Sequence, residues 1–229
     1  MRIRHKPWAK PELDACAFCV KSAKEQRGHW RALFPADQPL YLELGCGKGG
    51  WISQAAVACP DINFIALDIK NEMLALARRK LSAAFEAADR PVENVRIAIQ
   101  NISLISEAFA PEDRIDRIYI NFCNPWPKGQ HKKRRLTHPR QLEQYLTFLN
   151  GELWFKTDDD ELFEESIEYF RETGFTIRYQ TRDLHASGWT ENFVTEHEKM
   201  FSDEGKKIKF LIAVPQNKEA AEHGTVLSH

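Results

Sequence analysis

An apolar pentad, Leu40-Tyr41-Leu42-Glu43-Leu44, runs directly into Gly45-Cys46-Gly47-Lys48-Gly49-Gly50, and Trp51 to Ala58 continues as a helix stopped by Pro60. A strand, a glycine turn and a helix in that order constrain the fold more than any other feature. They are the opening unit of a doubly wound α/β sheet, whose ligands lie at the carboxyl ends of the strands. The same alternation continues downstream. Strands are predicted over Asn63–Leu67, Val95–Ile99, Asp116–Asn121, Glu152–Lys156, Phe175–Thr181 and Lys207–Val214. Helices are predicted over Glu72–Ala88, Pro139–Leu149 and Asp159–Thr173, the last closed by Gly174. The pattern implies a mostly parallel, seven-stranded sheet with helices on both faces.

At 229 residues the chain fits a single domain, 1–229, with 1–30 as a basic N-terminal extension and 215–229 as a frayed tail. No apolar run approaches the roughly 20 residues of a spanning helix, and the basic start leads into no apolar stretch. The expectation is therefore a cytoplasmic protein without a membrane partner. Five cysteines exclude a paired disulfide framework. Cys16-x-x-Cys19 has no second pair to complete a zinc site, so it reads as a structural pair on one helix face, and no metal is expected. His29, His138 and His185 show no ligand spacing and are assigned no role.

The glycine turn by itself suits either a dinucleotide or S-adenosylmethionine. In both, Gly45, Gly47 and Gly49 let a ligand approach the backbone, and Asp68, ending the second strand, can accept from ribose hydroxyls. Glu43 tilts the balance, because a carboxylate at the end of this strand suits an ammonium and repels a pyrophosphate. Asn121-Phe122-Cys123-Asn124-Pro125-Trp126 tilts it further. Nitrogen methyltransferases place an acidic or amide residue, prolines and an aromatic at the end of this strand.

A basic segment follows directly, with Lys128, His131, Lys132, Lys133, Arg134, Arg135, His138 and Arg140 inside thirteen positions. The formal net charge of −1 gives no sign of a nucleic-acid partner. The position of this run beside the predicted catalytic turn does, because Lys and Arg neutralise phosphates. Arg2, Arg4, His5, Lys6 and Trp8 could add a second contact. Asp159, Asp160 and Glu161 complement a helix N-terminus, Glu164, Glu165 and Glu168 read as a solvated face, and only Asp158 of this region reads as functional. The excursion from Asp183 to Glu204 is long enough to carry function and is expected to be mobile without RNA.

These residues together closely resemble the bacterial tRNA (guanine-N7-)-methyltransferase family. The resemblance runs from Met1 to about Phe210. It is carried by Asn121 to Pro127 with Arg134-Arg135-Leu136, by Phe155-Lys156-Thr157-Asp158 and by Thr195-Glu196-His197-Glu198. It implies a Rossmann-like class I methyltransferase fold, S-adenosylmethionine as cofactor and guanosine 46 of the tRNA variable loop as target. By position, Glu43, Asp68 and Asn101 would bind the cofactor, with Asn124 at the boundary of cofactor and substrate as a catalytic residue. Lys128 and Asp158 would bind the guanosine, Asp158 also as a catalytic group. Thr195, Glu196 and Glu198 would close over the same pocket, and Gln130, His131, Lys132, Lys133, Arg134 and Arg135 would meet the tRNA backbone. Monomer and homodimer both remain open.

Three positions depart from the family pattern. The turn is usually N-F-x-D-P-W with a catalytic aspartate where this chain has Asn124, Asn101 is commonly acidic, and His197 replaces a usual tyrosine. Guanine N7 carries a lone pair and no proton, so its methylation needs alignment and electrostatics rather than a general base. Asn124 can then keep a positioning role, with negative charge supplied by Asp158, Glu196 or Glu198. The alternatives are a methyltransferase for another nitrogen substrate, a tRNA-binding homologue with weakened catalysis, or a nicotinamide-dependent oxidoreductase on the same glycine turn.

Overall fold

The computed structural model describes residues 6–216, and one sheet of eight strands organises them. In chain order the strands are β1 (Cys19–Val20), β2 (Leu40–Leu44), β3 (Asn63–Asp68), β4 (Val95–Ile99), β5 (Ile115–Asn121), β6 (Leu149–Thr157), β7 (Phe175–Thr181) and β8 (Lys209–Pro215). Their spatial order is β1-β4-β3-β2-β5-β6-β8-β7, parallel throughout except for β8, which is antiparallel to both neighbours. After the edge strand β1 the chain enters the centre of the sheet at β2, winds outward through β3 and β4, and then returns to the other side of β2 at β5. The carboxyl ends of β2 and β5 therefore flank the topological switch point, where α/β sheets bind ligands.

The helices are α1 (Ala9–Asp14), α2 (Gly50–Ala58), α3 (Asn71–Ala87), α4 (Pro139–Leu146), α5 (Asp160–Glu172) and α6 (Glu196–Asp203). Strand alternation divides the apolar side chains between two cores. Leu40, Leu42 and Leu44 face α4, α5 and the buried Trp30, whereas Phe64, Ala66 and Tyr119 face α2 and α3. Tyr41 and Glu43 occupy the alternate positions of β2, so the register that buries three leucines also turns Glu43 to the α2 side.

The differences from the sequence reading trace to strand pairing between segments distant in the chain. The eighth strand is β1, too short to read from periodicity but hydrogen-bonded in parallel to β4. The segment read as an extension thus contributes an edge strand, a helix against α3 and a core tryptophan. Cys16 and Cys19 consequently do not share a helix face: Cys16 follows α1 and Cys19 opens β1. They still meet, Cys19 N donating to Cys16 O at 3.3 Å, and the neighbouring Cys19 thiol lowers the Cys16 pKa against the opposing effect of burial. The predicted helix to Leu149 ends instead at Leu146, because Leu149 already pairs with Ile115 as the first residue of β6. Arg2, Arg4, His5 and the tail after Gln216 lie outside the described residues. Trp8 packs beneath Arg79, whose guanidinium lies 4.1 Å from the ring centroid.

Candidate active site

The glycine turn is built by backbone conformations that side chains resist. Gly45, Gly47 and Gly49 have φ of 78°, 55° and 76°, all in the left-handed region that favours glycine. Their spatial roles differ. A Cβ on Gly47 would meet nothing within 4 Å, leaving the backbone open to a ligand, whereas one on Gly49 would lie 2.9 Å from Ala77 of α3. Gly49 is thus required for the close approach of α2 to α3, and Gly47 for access. Gly45 and Cys46 both donate to Leu67 O, which holds the turn against the end of β3.

Asp68 ends β3 beside this turn. Its two carboxylate oxygens accept from the backbone amides of Gly47, at 3.0 Å, and Lys70, at 2.9 Å. Burial nevertheless raises its pKa. Ile69, the next residue, is 57% exposed, an apolar surface left beside the carboxylate that would receive a ribose. Asn101 ends the neighbouring β4 connection, where its side chain accepts from Ser103 N at 3.0 Å. Glu43 is buried, with Oε1 accepting from Asn121 Nδ2 at 3.2 Å and Oε2 buried without a partner. Burial pushes its pKa up to about 7, opposed by the Asn121 bond and the charge of Lys156. A buried carboxylate oxygen without a donor is costly unless a ligand completes it. The donor set therefore fits S-adenosylmethionine: an ammonium at Glu43, ribose hydroxyls at Asp68 and an adenine along Ile69 and Asn101.

The turn after β5 is held in an uncommon shape. Phe122 and Trp126 have φ of 51° and 42°, although neither is glycine. Phe122 N donates to Lys156 O of β6, and Trp126 N donates to Asn124 Oδ1 at 3.0 Å. Asn124 thus closes a side-chain turn, a task that Asn and Asp perform equally well. Its side chain is exposed, as are Lys128, Gln130, Lys133 and Arg134. Arg134 lies 5.1 Å over the Trp126 ring, and His131 meets the same ring edge-on.

Not all of the basic segment faces outward. Lys132 is paired with Glu161 and Glu165. Arg135 is 1% exposed and bonds Pro125 O and Glu165, so its guanidinium is withheld from RNA. Glu165 is correspondingly no solvated residue: it accepts from Lys132, Arg135 and Tyr169.

The excursion between β7 and β8 returns to the sheet through one buried carboxylate. Glu198 of α6 accepts from Lys156 Nζ at 2.5 Å, Asn192 Nδ2 at 2.7 Å and His185 Nε2 at 2.8 Å. Burial would raise its pKa, but Lys156 and these bonds outweigh that and hold it below the ordinary value. Burial depresses the Lys156 ammonium, partly offset by Glu198. Thr195 caps α6 by accepting from Glu198 N. Glu198 and Thr195, expected over the substrate pocket, are thus engaged inside the protein, and His185 of the same excursion bonds Glu198. Glu196 projects elsewhere, bonding Lys80 of α3, with its Cγ 3.8 Å from where a Cβ on Gly50 would be. It lies against the glycine turn.

The structure brings Glu43, Asp68 and the glycines together at the switch point, with the Asn124 turn on the adjacent strand. Asp158 lies at the end of β6 with its carboxylate 3.6 Å from Lys206 Nζ, on the side away from β5. Asn121, Lys156 and Ile69 were not singled out as site residues from sequence. Lys156 carried a signal, being the one charge closing the apolar run Leu153-Trp154-Phe155. A cavity of about 290 Å³ lies on the α2 side of β5 and β6, lined by Trp51, Tyr119, Trp154 and Phe193, with Asn121 and Lys156 at one end.

Known proteins resemble this chain in sequence and in fold. A family model described as "Putative methyltransferase" matches residues 37–211. A tRNA (guanine-N(7)-)-methyltransferase from Clostridium beijerinckii is 60% identical over 95% of this chain and 100% of its own length. One from Acetivibrio thermocellus is 54% identical over 93% of this chain and 99% of its own. Among solved structures, the 16S rRNA methyltransferase KamB superposes with a TM-score of 0.57 at 13% identity, covering 81% of this chain and 90% of that one. An antibiotic-related methyltransferase gives 0.56 at 18% identity, covering 85% and 94%. At such identities these two establish the fold alone. From its match to the family model and its near-full-length relatives, the chain belongs to the tRNA (guanine-N(7)-)-methyltransferase family.

Proposed function

We propose that the chain transfers a methyl group from S-adenosylmethionine to N7 of guanosine 46 in the variable loop of tRNA, in the cytoplasm. The observation that carries this reading is the juxtaposition at the switch point. A buried glutamate with one unpartnered oxygen ends β2, and the Asn124-Pro125-Trp126 turn, with its exposed cations, follows the adjacent β5.

The cofactor, when bound, supplies an electrophilic methyl on a cationic sulfur. Glu43 receives the ammonium, Asp68 the ribose hydroxyls, and the open backbone at Gly47 allows close approach. Asn124 orients the guanine at the cofactor boundary, Lys128 binds beside it, and Trp126 offers an aromatic face. N7 attacks with its own lone pair, so these residues need only align donor and acceptor and shield them from water. Positive charge moves from sulfur to the purine during transfer. In this chain Glu196, which lies against the glycine turn, is better placed than the buried Glu198 to stabilise it. Asp158 acts at the guanosine from the β6 end. Gln130, His131, Lys133 and Arg134 meet the phosphate backbone.

Tritium transfer from labelled cofactor to unmodified tRNA, followed by nucleoside digestion, tests the reading. Label appears in 7-methylguanosine and is lost in Glu43→Ala. Label in any other nucleoside, or none despite tight cofactor and tRNA binding, refutes it.

A further inference from the structure

The basic segment contains two adjacent arginines that part company. Arg134 is exposed and lies over Trp126, whereas Arg135 turns inward to 1% exposure. Its Nε donates to Pro125 O at 2.6 Å, and its two terminal nitrogens reach Glu165 and, at 3.4 Å, Glu161 of α5. One planar fork thus joins the backbone of the proposed catalytic turn to a helix on the opposite face of the sheet.

The turn needs such a holder. Phe122 and Trp126 both sit at positive φ, a conformation that persists in non-glycine residues only where the surroundings over-determine it. Pro125 and Pro127 have no N–H to donate. Trp126 N is the amide between them, and it is already committed to Asn124 Oδ1. On the β5 side Phe122 N is pinned to Lys156 O, and the Trp126 ring meets the exposed Arg134 and half-buried His131, so a buried hold on the backbone of residues 124–126 has to come through a carbonyl oxygen. The Pro125 carbonyl is the one that Arg135 takes. Glu165 is itself fixed by Lys132 and by the Tyr169 hydroxyl, and Thr137 Oγ1 bonds Ser166 Oγ at 2.6 Å at the next residue of α5. The anchor is therefore rigid on the helix side.

We propose that Arg135 is a positioning residue for the methyl transfer. It clamps the Asn124-Pro125-Trp126 turn onto Glu165 of α5, and it makes no contact with RNA. The proposal rests on the reading above that this turn flanks the reacting base. A misplacement of about 1 Å at a reacting site costs on the order of a hundredfold in rate, so a clamp on this turn acts on turnover rather than on tRNA affinity.

Arg135→Lys keeps the charge but cannot bond Pro125 O and Glu165 in one plane. Steady-state kinetics on tRNA should show kcat falling by about thirtyfold or more, with KM for tRNA changed by less than about threefold. The slope of log tRNA affinity against log salt should match that of the parent. Arg134→Ala provides the contrast: a raised KM and a slope shallower by about 0.7–0.9, as for one lost phosphate contact. Glu165→Gln removes the negative charge of the same clamp on the α5 side. It should lower kcat in the same direction, and its effect should not add to that of Arg135→Lys. If Arg135→Lys fails to fold, Glu165→Gln alone decides: unchanged kcat in the folded variant overturns the clamp. Intact kcat in Arg135→Lys with a shallower salt slope overturns it equally. If the parent methylates no tRNA, the functional reading fails, and the binding slopes still report whether Arg135 meets phosphate.

Discussion

Glu43 carries the sharpest prediction at the scale of single residues. Burial sets its pKa to about 7 in the ligand-free protein. Between the ordinary carboxylate value and 7 the folded protein holds a proton that the unfolded chain has released, so stability falls as pH rises across that window. An ammonium ligand favours the carboxylate, so binding at low pH must expel the proton. Affinity for S-adenosylmethionine should therefore strengthen by about tenfold per unit as pH rises toward 7, level off just above it, and weaken again once the ligand's own α-amino group loses its proton at about 8. Calorimetry from pH 5.5 to 8.5 reads this directly, and a flat profile in the native protein would remove Glu43 from the ammonium site. Asn124 carries the second prediction. Because Asn closes the turn as Asp would, Asn124→Asp should raise turnover by no more than about tenfold, the smaller part of what a lost electrostatic donor costs elsewhere. A gain of several hundredfold would mean that nothing here replaces the missing charge. Glu43, Asp68 and Asn124 stood out as candidates in the sequence because each lies at or just beyond the carboxyl end of a predicted strand beside a turn. The inward course of Arg135 did not, since a run of cations gives no sign of which members turn inward.

At the scale of elements, the excursion joining β7 to β8 is held by a single buried polar centre. Glu198 is fully buried among Lys156, Asn192 and His185. Removing one partner of a buried pair costs about 3–5 kcal/mol, because the other is left charged and unpaired. Glu198→Ala should accordingly release residues 183–206 locally, seen as accelerated hydrogen exchange there with β2–β5 unaffected. Equal protection in both proteins would show that the aromatic packing alone holds the segment. The sequence marked this stretch as an excursion by its length, and Thr195 to Glu198 as one of the segments that carry the family resemblance. It could not show the anchor, because the partner Lys156 is some forty residues upstream and meets Glu198 only after β6 and β8 pair. The strands themselves were readable nearly to their ends, for periodicity and turn residues are local. The two-residue β1 exists only through its pairing with β4, and no local signal announces it.

Across the whole molecule the fold places opposite demands on one edge of the sheet. The net charge is −1, yet exposed cations gather in the segment that follows β5, beside the buried carboxylate of Glu43. Around that segment acidic side chains offset part of the charge, Glu161 and Glu165 of α5 pairing Lys132 and Arg135, while Glu198 of α6 takes Lys156. The cations left exposed let a nearly neutral protein present a basic surface to tRNA at the point where a cationic cofactor binds. The central claim is that this edge delivers the methyl group to the N7 lone pair of guanosine 46. It is tested most directly with two tRNA transcripts, one carrying guanosine at position 46 and one carrying 7-deazaguanosine. The account predicts equal binding of the two, with label transferred only to the first. Transfer to both at the same rate would contradict it.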